Sequence, residues 1–341
     1  VDSPLTPSAA WLPPIAITGP TASGKTAAAL RLAQVLPIEI ISVDSTLVYR
    51  RMNIGSAKPS SAERDAVVHH LIDIRDPFES YNAAEFLKDA TVLVSEISQR
   101  GKWPVFVGGT MLYLQCLTKG IDEMPAVDLG VRAEVTARAA QVGWAVMHQQ
   151  LQALDPVTAA RLPPSDAQRI GRALEVVLGT GQTLSSLQTG RNRAIPGVLE
   201  EARIISLEPT ERSVLHLRIA ARLTAMLDAG FLAEALQLHL DPTLSPDMPA
   251  MRSVGYRQAF EVLTELTRQG HSPNPLLAKD RTAFFAHWHE PAAAATRQLA
   301  KRQLTWLRAM KLRHIVAMES QDAAQQVCDL ALALTNPHSK L

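Results

Sequence analysis

Cysteine is nearly absent. Cys116 and Cys328 are the only two in 341 residues. That is too few for a disulfide framework or a structural zinc site, so the expectation is two buried thiols in a reducing compartment. Long apolar runs are absent as well. The longest uncharged stretch, WPVFVGGTMLYLQCLT from 103 to 118, is shorter than the roughly 20 residues a membrane span needs. Pro104 and the pair Gly108-Gly109 interrupt it, and it reads as strand, turn and helix start. The opening VDSPLTPSAAWLPP has neither a cationic start nor an apolar run, which predicts no signal peptide. Neither sign of charge is in excess: 34 Lys and Arg against 33 Asp and Glu give a net +1. Bulk charge therefore neither demands nor excludes a nucleic-acid partner, and any such case rests on local clusters. Aromatics are scarce at 5%, but the chain is 47% hydrophobic, enough for a core and against disorder. The expectation is a soluble, cytoplasmic protein with no membrane contact.

Five short apolar runs read as buried parallel strands: Ile15–Thr18, Glu39–Val43, Val105–Val107, Arg203–Leu207 and His314–Ala317. Long helical patterns, not hairpin turns, separate them. That alternation predicts a doubly wound α/β sheet, whose ligands bind at the carboxyl ends of the strands. Gly19 and Asp44 both sit at such ends. From about Asp122 to Pro196 no strand-like run occurs, and two helical segments fill the interval. Ser165 is the expected N-cap of the second, with Gly179 or Gly181 as its stop. The predicted organisation is a core over 1–121, a helical insertion over 122–198, a second part of the core over 199–318 with a basic helix, and a tail helix over 319–341.

Residues 19–26 read GPTASGKT, a full match to G-x-x-x-x-G-K-[ST] between a strand and a helix. The loop, Gly19, Pro20, Thr21, Ala22, Ser23 and Gly24, offers backbone amides and a helix N-terminus to anionic oxygens. Lys25 adds a point charge, and Thr26 is the expected Mg²⁺ ligand. The motif says polyphosphate and no more. A GTPase would carry N-K-x-D, which is absent. The strand after the P-loop helix ends in Asp44, and the following one ends in Gly108-Gly109-Thr110, an arrangement similar to small-molecule kinases.

GPTASGKT, SVDSTLVYRRMNIGSAKP, HHLIDI, VFVGGTMLYL, DAQRIGRALEV, SVGYRQ and TRQLAKRQLTWLR follow one another in this order. Together they strongly resemble the tRNA dimethylallyltransferase (tRNA isopentenyltransferase) family, bacterial type, from about Ile15 to Arg308. The resemblance implies a P-loop NTPase-like parallel sheet core with a helical insertion domain. It implies transfer of a dimethylallyl group from dimethylallyl diphosphate to the exocyclic amine of the adenine 3′ of a tRNA anticodon. The diphosphate is then a leaving group, held by the P-loop, Mg²⁺ and Arg218, which lies one helical turn from Arg222. Asp44 is implied as the base for the amine, and Thr110 as a residue beside the reacting centre. The implied tRNA contacts, to the anticodon stem-loop, are Asp44, Ser45, Thr46, Leu47, Thr110 and Arg132, the run Gln168, Arg169, Ile170, Gly171, Arg172, and the run Arg252, Ser253, Val254, Gly255, Tyr256, Arg257. The sequence departs from the family pattern at Arg51, where Gly is usual, at Ser56 for Thr, and at Ala167 for Pro. TAFFAHWHEPAAAA, from 282, is longer and more apolar than usual.

No acidic residue occurs from Pro291 to Met318. At about 100° per residue Arg297, Lys301 and Arg308 share one helix face, opposite Leu299, Trp306, Leu307 and Met310. This cationic face, with Arg302, is a solvated surface or, given the resemblance, a track for tRNA phosphates. His69 and His70 point in different directions and have no third ligand at metal spacing, so they are read as structural, and Tyr49 and Tyr81 as packing residues. The chain is expected to be a monomer. Three other readings stay open: prenylation of free AMP or ADP, a P-loop small-molecule kinase, and a non-catalytic nucleotide-dependent RNA binder.

Overall fold

The computed structural model describes residues 11–122, 124–125, 128–188, 193–271, 274 and 277–336. Most of the opening segment read for a signal peptide, and the last five residues of the expected tail, lie outside these. The chain divides into two compact units, one built from the chain up to Thr118 and from Val198 onward, the other spanning Lys119–Gly197.

The first unit is a six-stranded sheet. Its strands are β1 (Ile15–Thr18), β2 (Ile38–Val43), β3 (His69–His70), β4 (Trp103–Gly108), β7 (Ile204–Glu208) and β8 (His314–Ala317). All pairings are parallel and the order is β3-β2-β4-β1-β7-β8. β1 and β2 are buried along their whole length, as strands covered on both faces must be. The helices of this unit are α1 (Lys25–Ala33), α2 (Ser61–Ala66), α3 (Ala83–Gln99), α4 (Met111–Lys119), α10 (Arg212–Asp228), α11 (Phe231–His239), α12 (Tyr256–Arg268), α13 (Ala278–Leu307) and α14 (Ala323–Thr335). Helix α14 packs against α1, β7 and β8, so it covers the sheet. The apolar stretch from 282 is the first half of α13, where Phe284 and Trp288 are fully buried.

β2 carries a buried acid, Glu39. Burial alone would raise its pKa. Hydrogen bonds from Arg100, His70 and Lys102 outweigh that and hold it at about 2. His70 is thus a structural partner of Glu39, and His69 Nδ1 faces the Val67 carbonyl at 2.8 Å.

The second unit contains α5 (Leu129–Val142), α6 (Trp144–Leu154), α7 (Pro156–Ala159), α8 (Ala167–Thr180) and α9 (Leu184–Leu187). Its core includes Val135, Met147, Leu151, Ile170 and Leu174. Two expectations are corrected here. The N-cap of α8 is Asp166, whose side chain accepts from the Arg169 amide, not Ser165; Gly181, at φ 73°, does stop the helix. The interval does contain strands, the short antiparallel pair β5 (Ile121–Asp122) and β6 (Arg193–Ile195). Two- and three-residue strands are below what hydrophobic alternation can signal.

Candidate functional site

The P-loop sits between β1 and α1. Gly24 takes φ 96° as the residue before α1, and Lys25 opens the helix. Lys25 Nζ donates to the carbonyls of Gly19 (3.1 Å) and Pro20 (2.7 Å). Burial, then the nearby Arg222, pull the Lys25 pKa down to about 8 against the opposing pull of Asp44. Lys25 is therefore a cation short of negative charge. Arg222 Nη1 donates to Thr21 Oγ1 at 3.3 Å, and Arg218 Nη2 to the Met318 carbonyl at 3.1 Å. Both arginines line the same cleft as Lys25 and Thr26, a space of about 480 Å³. Arg222 lies closer to the P-loop than its place in the sequence suggested; its only sequence signal was the i, i+4 spacing from Arg218.

Asp44 follows β2 and also lines this cleft. β2 is not the neighbour of β1: β4 lies between them, so Asp44 reaches the cradle across the Gly108-Gly109-Thr110 turn. At its two glycines that turn has no room for side chains. A Cβ on Gly108 would collide with the Val43 backbone, and one on Gly109 would lie 2.6 Å from Gln303 Nε2 and 3.1 Å from the Gly19 carbonyl oxygen. The two glycines let three strand ends converge.

One oxygen of Asp44, Oδ1, accepts from the amides of Thr46 (2.8 Å) and Leu47 (3.4 Å). Among the described residues Oδ2 receives no hydrogen bond, which leaves it to accept from a ligand. Thr110 Oγ1 accepts from the Ser45 amide at 3.0 Å and donates to Ser45 Oγ at 3.3 Å, so Thr110 holds the Asp44 loop directly. Thr46 Oγ1 lies 3.4 Å from Ser253 Oγ, which joins the 44–47 segment to the 252–257 run. Val254 and Gly255 line the cleft, while Arg252 and Arg257 are exposed.

The wall formed by 53–58 is braced from behind. Glu234 accepts from the amides of Asn53, Ile54 and Gly55 and from Tyr256 Oη. Lys58 Nζ ties Tyr49, Asn53 and Asp73 together. Arg51 holds a left-handed φ of 65° and pairs with Asp241 at 2.7 Å.

Within the expected tRNA set some side chains pack inward. Tyr256 is fully buried and Ile170 packs inside the helical unit, because helix period places them inward; their side chains are not available to RNA. Gly171 is also buried, against Trp144. In the helical unit Arg132 and Arg172 converge on Glu175 at 3.4 and 3.6 Å, while Gln168 and Arg169 are exposed. Tyr49 and Tyr81 are buried, as packing residues should be. Lys301 and Arg302 are exposed and Arg297 pairs with Glu290. Arg297, Lys301 and Arg308 line a second groove with Arg212 and His216 of α10. Those two were missed; their i, i+4 spacing was the available signal.

Mg²⁺ prefers oxygen ligands and commonly takes one or two from the protein and the rest from phosphates and water. The Thr26 hydroxyl and the Asp44 carboxylate, both lining the cleft, are oxygen ligands of the kind that demand calls for. Among the described residues there is no cluster of three His, Cys, Asp or Glu side chains that would make an all-protein metal cage. No described helix is long and apolar enough to cross a membrane.

The family model described as IPP transferase matches residues 47–310. The tRNA dimethylallyltransferase of Paracidovorax citrulli (strain AAC00-1) is 53% identical over 326 residues, covering 93% of this chain and 90% of the relative. That of Methylibium petroleiphilum is 51% identical over 330 residues, covering 97% of each. Among solved structures, the tRNA isopentenylpyrophosphate transferase of Bacillus halodurans superimposes with a TM-score of 0.62 at 31% identity, over 95% of this chain and 97% of the other. A eukaryotic dimethylallyltransferase acting on tRNA shares the fold, with a TM-score of 0.72 at 24% identity over 92% of this chain and 77% of the other.

Proposed function

The chain belongs to the IPP transferase family and is a tRNA prenyl transferase; we propose that it moves a dimethylallyl group from dimethylallyl diphosphate to the exocyclic amine of the adenine immediately 3′ of the anticodon. The carbon–oxygen bond of the donor breaks, a carbon–nitrogen bond forms, diphosphate leaves, and one amine proton goes to Asp44. The observation that carries this reading is the shared cleft: a cationic cradle and a carboxylate with one oxygen unbonded among the described residues, held at separate strand ends with space between.

Each group has a task. The amine is a poor nucleophile because its lone pair is delocalised into the ring. Asp44 Oδ2 orients it and accepts its proton, help worth roughly 10²–10⁴-fold. Lys25, the loop amides, Arg218 and Arg222 stabilise charge growing on the departing diphosphate. The lowered pKa of Lys25 marks a position that gains from an added anion. Thr110 fixes the Asp44 loop through Ser45, and its hydroxyl would be available to the leaving diphosphate. Bound Mg²⁺, held by Thr26, would neutralise the leaving group.

The base must leave its stack to enter the cleft. Thr46, Leu47, Ser253, Val254, Arg252 and Arg257 would meet it and its neighbours. Arg297, Lys301 and Arg302 would follow backbone phosphates, and Arg132, Gln168, Arg169 and Arg172 of the helical unit would add contacts to the anticodon stem. A tRNA substrate supports a cytoplasmic site of action. The test is mass spectrometry of nucleosides from tRNA incubated with the protein, donor and Mg²⁺. Prenylated adenosine is expected; unmodified tRNA, with label found in AMP or ADP, would replace this reading with the free-nucleotide one.

A further inference from the structure

Gln303 comes from the far end of the chain into the middle of the site. It lies near the end of α13 and is buried to 6% exposure. Its Oε1 accepts the amide hydrogen of Thr21 in the P-loop at 3.0 Å. Its Nε2 donates to the carbonyl of Gly109 at 2.8 Å. An amide N–H only donates and a carbonyl only accepts, so the two partners fix which way the side chain is turned. Neither Glu nor Met satisfies both: Glu at neutral pH has no donor, and Met has neither group.

The sheet ties the cradle to its neighbour only as far as Thr18, whose hydroxyl donates to the Gly108 carbonyl at 2.9 Å. Beyond that point the P-loop and the glycine turn leave their strands, and Gln303 bridges them. The path continues without a break. Gly109 precedes Thr110, Thr110 Oγ1 takes the Ser45 amide, and Ser45 follows Asp44. On the other side of the loop Arg222 holds Thr21 by its hydroxyl. Gly109 has no Cβ because Gln303 occupies that space.

We propose that Gln303 is a positioning residue that sets the distance between the diphosphate cradle and the Asp44–Thr110 pair. The inference rests on the prenyl-transfer reading for its kinetic consequence, but its geometry does not. The amine must meet the donor carbon at a near-attack distance, and a misplacement of about 1 Å is enough to cost up to 10²-fold in rate. The same helix carries Lys301 and Arg302 on its exposed face. One rigid element thereby joins the cationic surface to the reacting centre.

The test uses the full chain with Gln303→Met, which keeps volume and removes both hydrogen bonds, and Gln303→Glu, which keeps only the acceptor. Three quantities are measured well below the unfolding temperature: kcat at saturating donor and tRNA, the tRNA dissociation constant, and amide hydrogen exchange in peptides spanning Thr21 and Gly109. For Gln303→Met the expectation is kcat down on the order of tenfold or more, tRNA affinity within twofold, and faster exchange in both peptides. Gln303→Glu follows in the same directions and takes over the test should the Met variant not fold. Raised exchange with kcat within twofold of wild type would make Gln303 a structural brace only, and unchanged exchange would mean that it ties nothing; either overturns the proposal. A wild-type protein that prenylates nothing would refute the function while the exchange measurement still decides the tie.

Discussion

Asp44→Asn separates the two jobs that one carboxylate holds in this site. In the native protein Oδ1 accepts from the Thr46 and Leu47 amides, and an Asn carbonyl oxygen can do the same. The loop, and with it Thr110 and Ser45, should keep its shape. The amide nitrogen that replaces Oδ2 cannot take a proton from the adenine amine. Losing general-base help at the lower end of its range costs about 10²-fold, which is about 2.7 kcal/mol in the barrier. Donor affinity should stay within a few-fold, because Lys25, Arg218 and Arg222 are untouched; removing a negative charge near Lys25 works slightly in the donor's favour. The assay is single-turnover rate together with the donor dissociation constant at two Mg²⁺ concentrations. Near-normal turnover would refute the base assignment. Weakened donor binding that excess Mg²⁺ restores would instead give Asp44 to the metal.

Further expectations follow from the same geometry. Lys25 is charged below its pKa of about 8, and a bound diphosphate raises that value. Lys25→Arg keeps its charge and so carries only the titration of diphosphate itself; relative to it, wild-type affinity for inorganic diphosphate should be constant below pH 8 and fall by up to about tenfold per unit above it. Titration calorimetry of both proteins from pH 7 to 9.5 reads this, and Lys25→Ala should abolish the binding. Changing Arg297 and Lys301 together to Ala should weaken tRNA binding and reduce its salt slope by roughly one unit for each phosphate no longer neutralised, with little change in turnover at saturating tRNA; an unchanged slope in filter binding would mark that face as merely solvated. Arg51 sits in the left-handed region, so Arg51→Gly should be more stable than Arg51→Ala by about 1 kcal/mol, roughly one to two degrees in melting temperature by calorimetry, since both lose the Asp241 pair and only Gly sheds the Cβ. Equal melting temperatures would show that φ is not what strains this turn.

What could be read from the residues was what is contiguous. GPTASGKT lies in one turn between a strand and a helix, and β1 and β8 keep the limits their apolar runs suggested. β3 is two histidines, and no pattern of period two fits in two residues. The insertion of β4 between β1 and β2 is decided by how the crossovers pack, which local sequence does not encode. Arg222 and Gln303 meet the cradle from about 200 and 280 positions away in the chain. Their helices showed cationic or apolar faces, not which loop each face would reach. Ile170 and Tyr256 lie within motifs that resemble RNA-contacting runs, while helix period turns their side chains into the core.

The central claim is that this P-loop holds a leaving group and not a phosphoryl donor. It is tested by counting products from one incubation of the protein with tRNA, dimethylallyl diphosphate and Mg²⁺ in the absence of any nucleoside triphosphate. The account predicts one inorganic diphosphate released for each prenylated adenosine formed, with both rates falling together in Asp44→Asn. Orthophosphate in place of diphosphate, or activity that needs ATP and yields ADP, would contradict it.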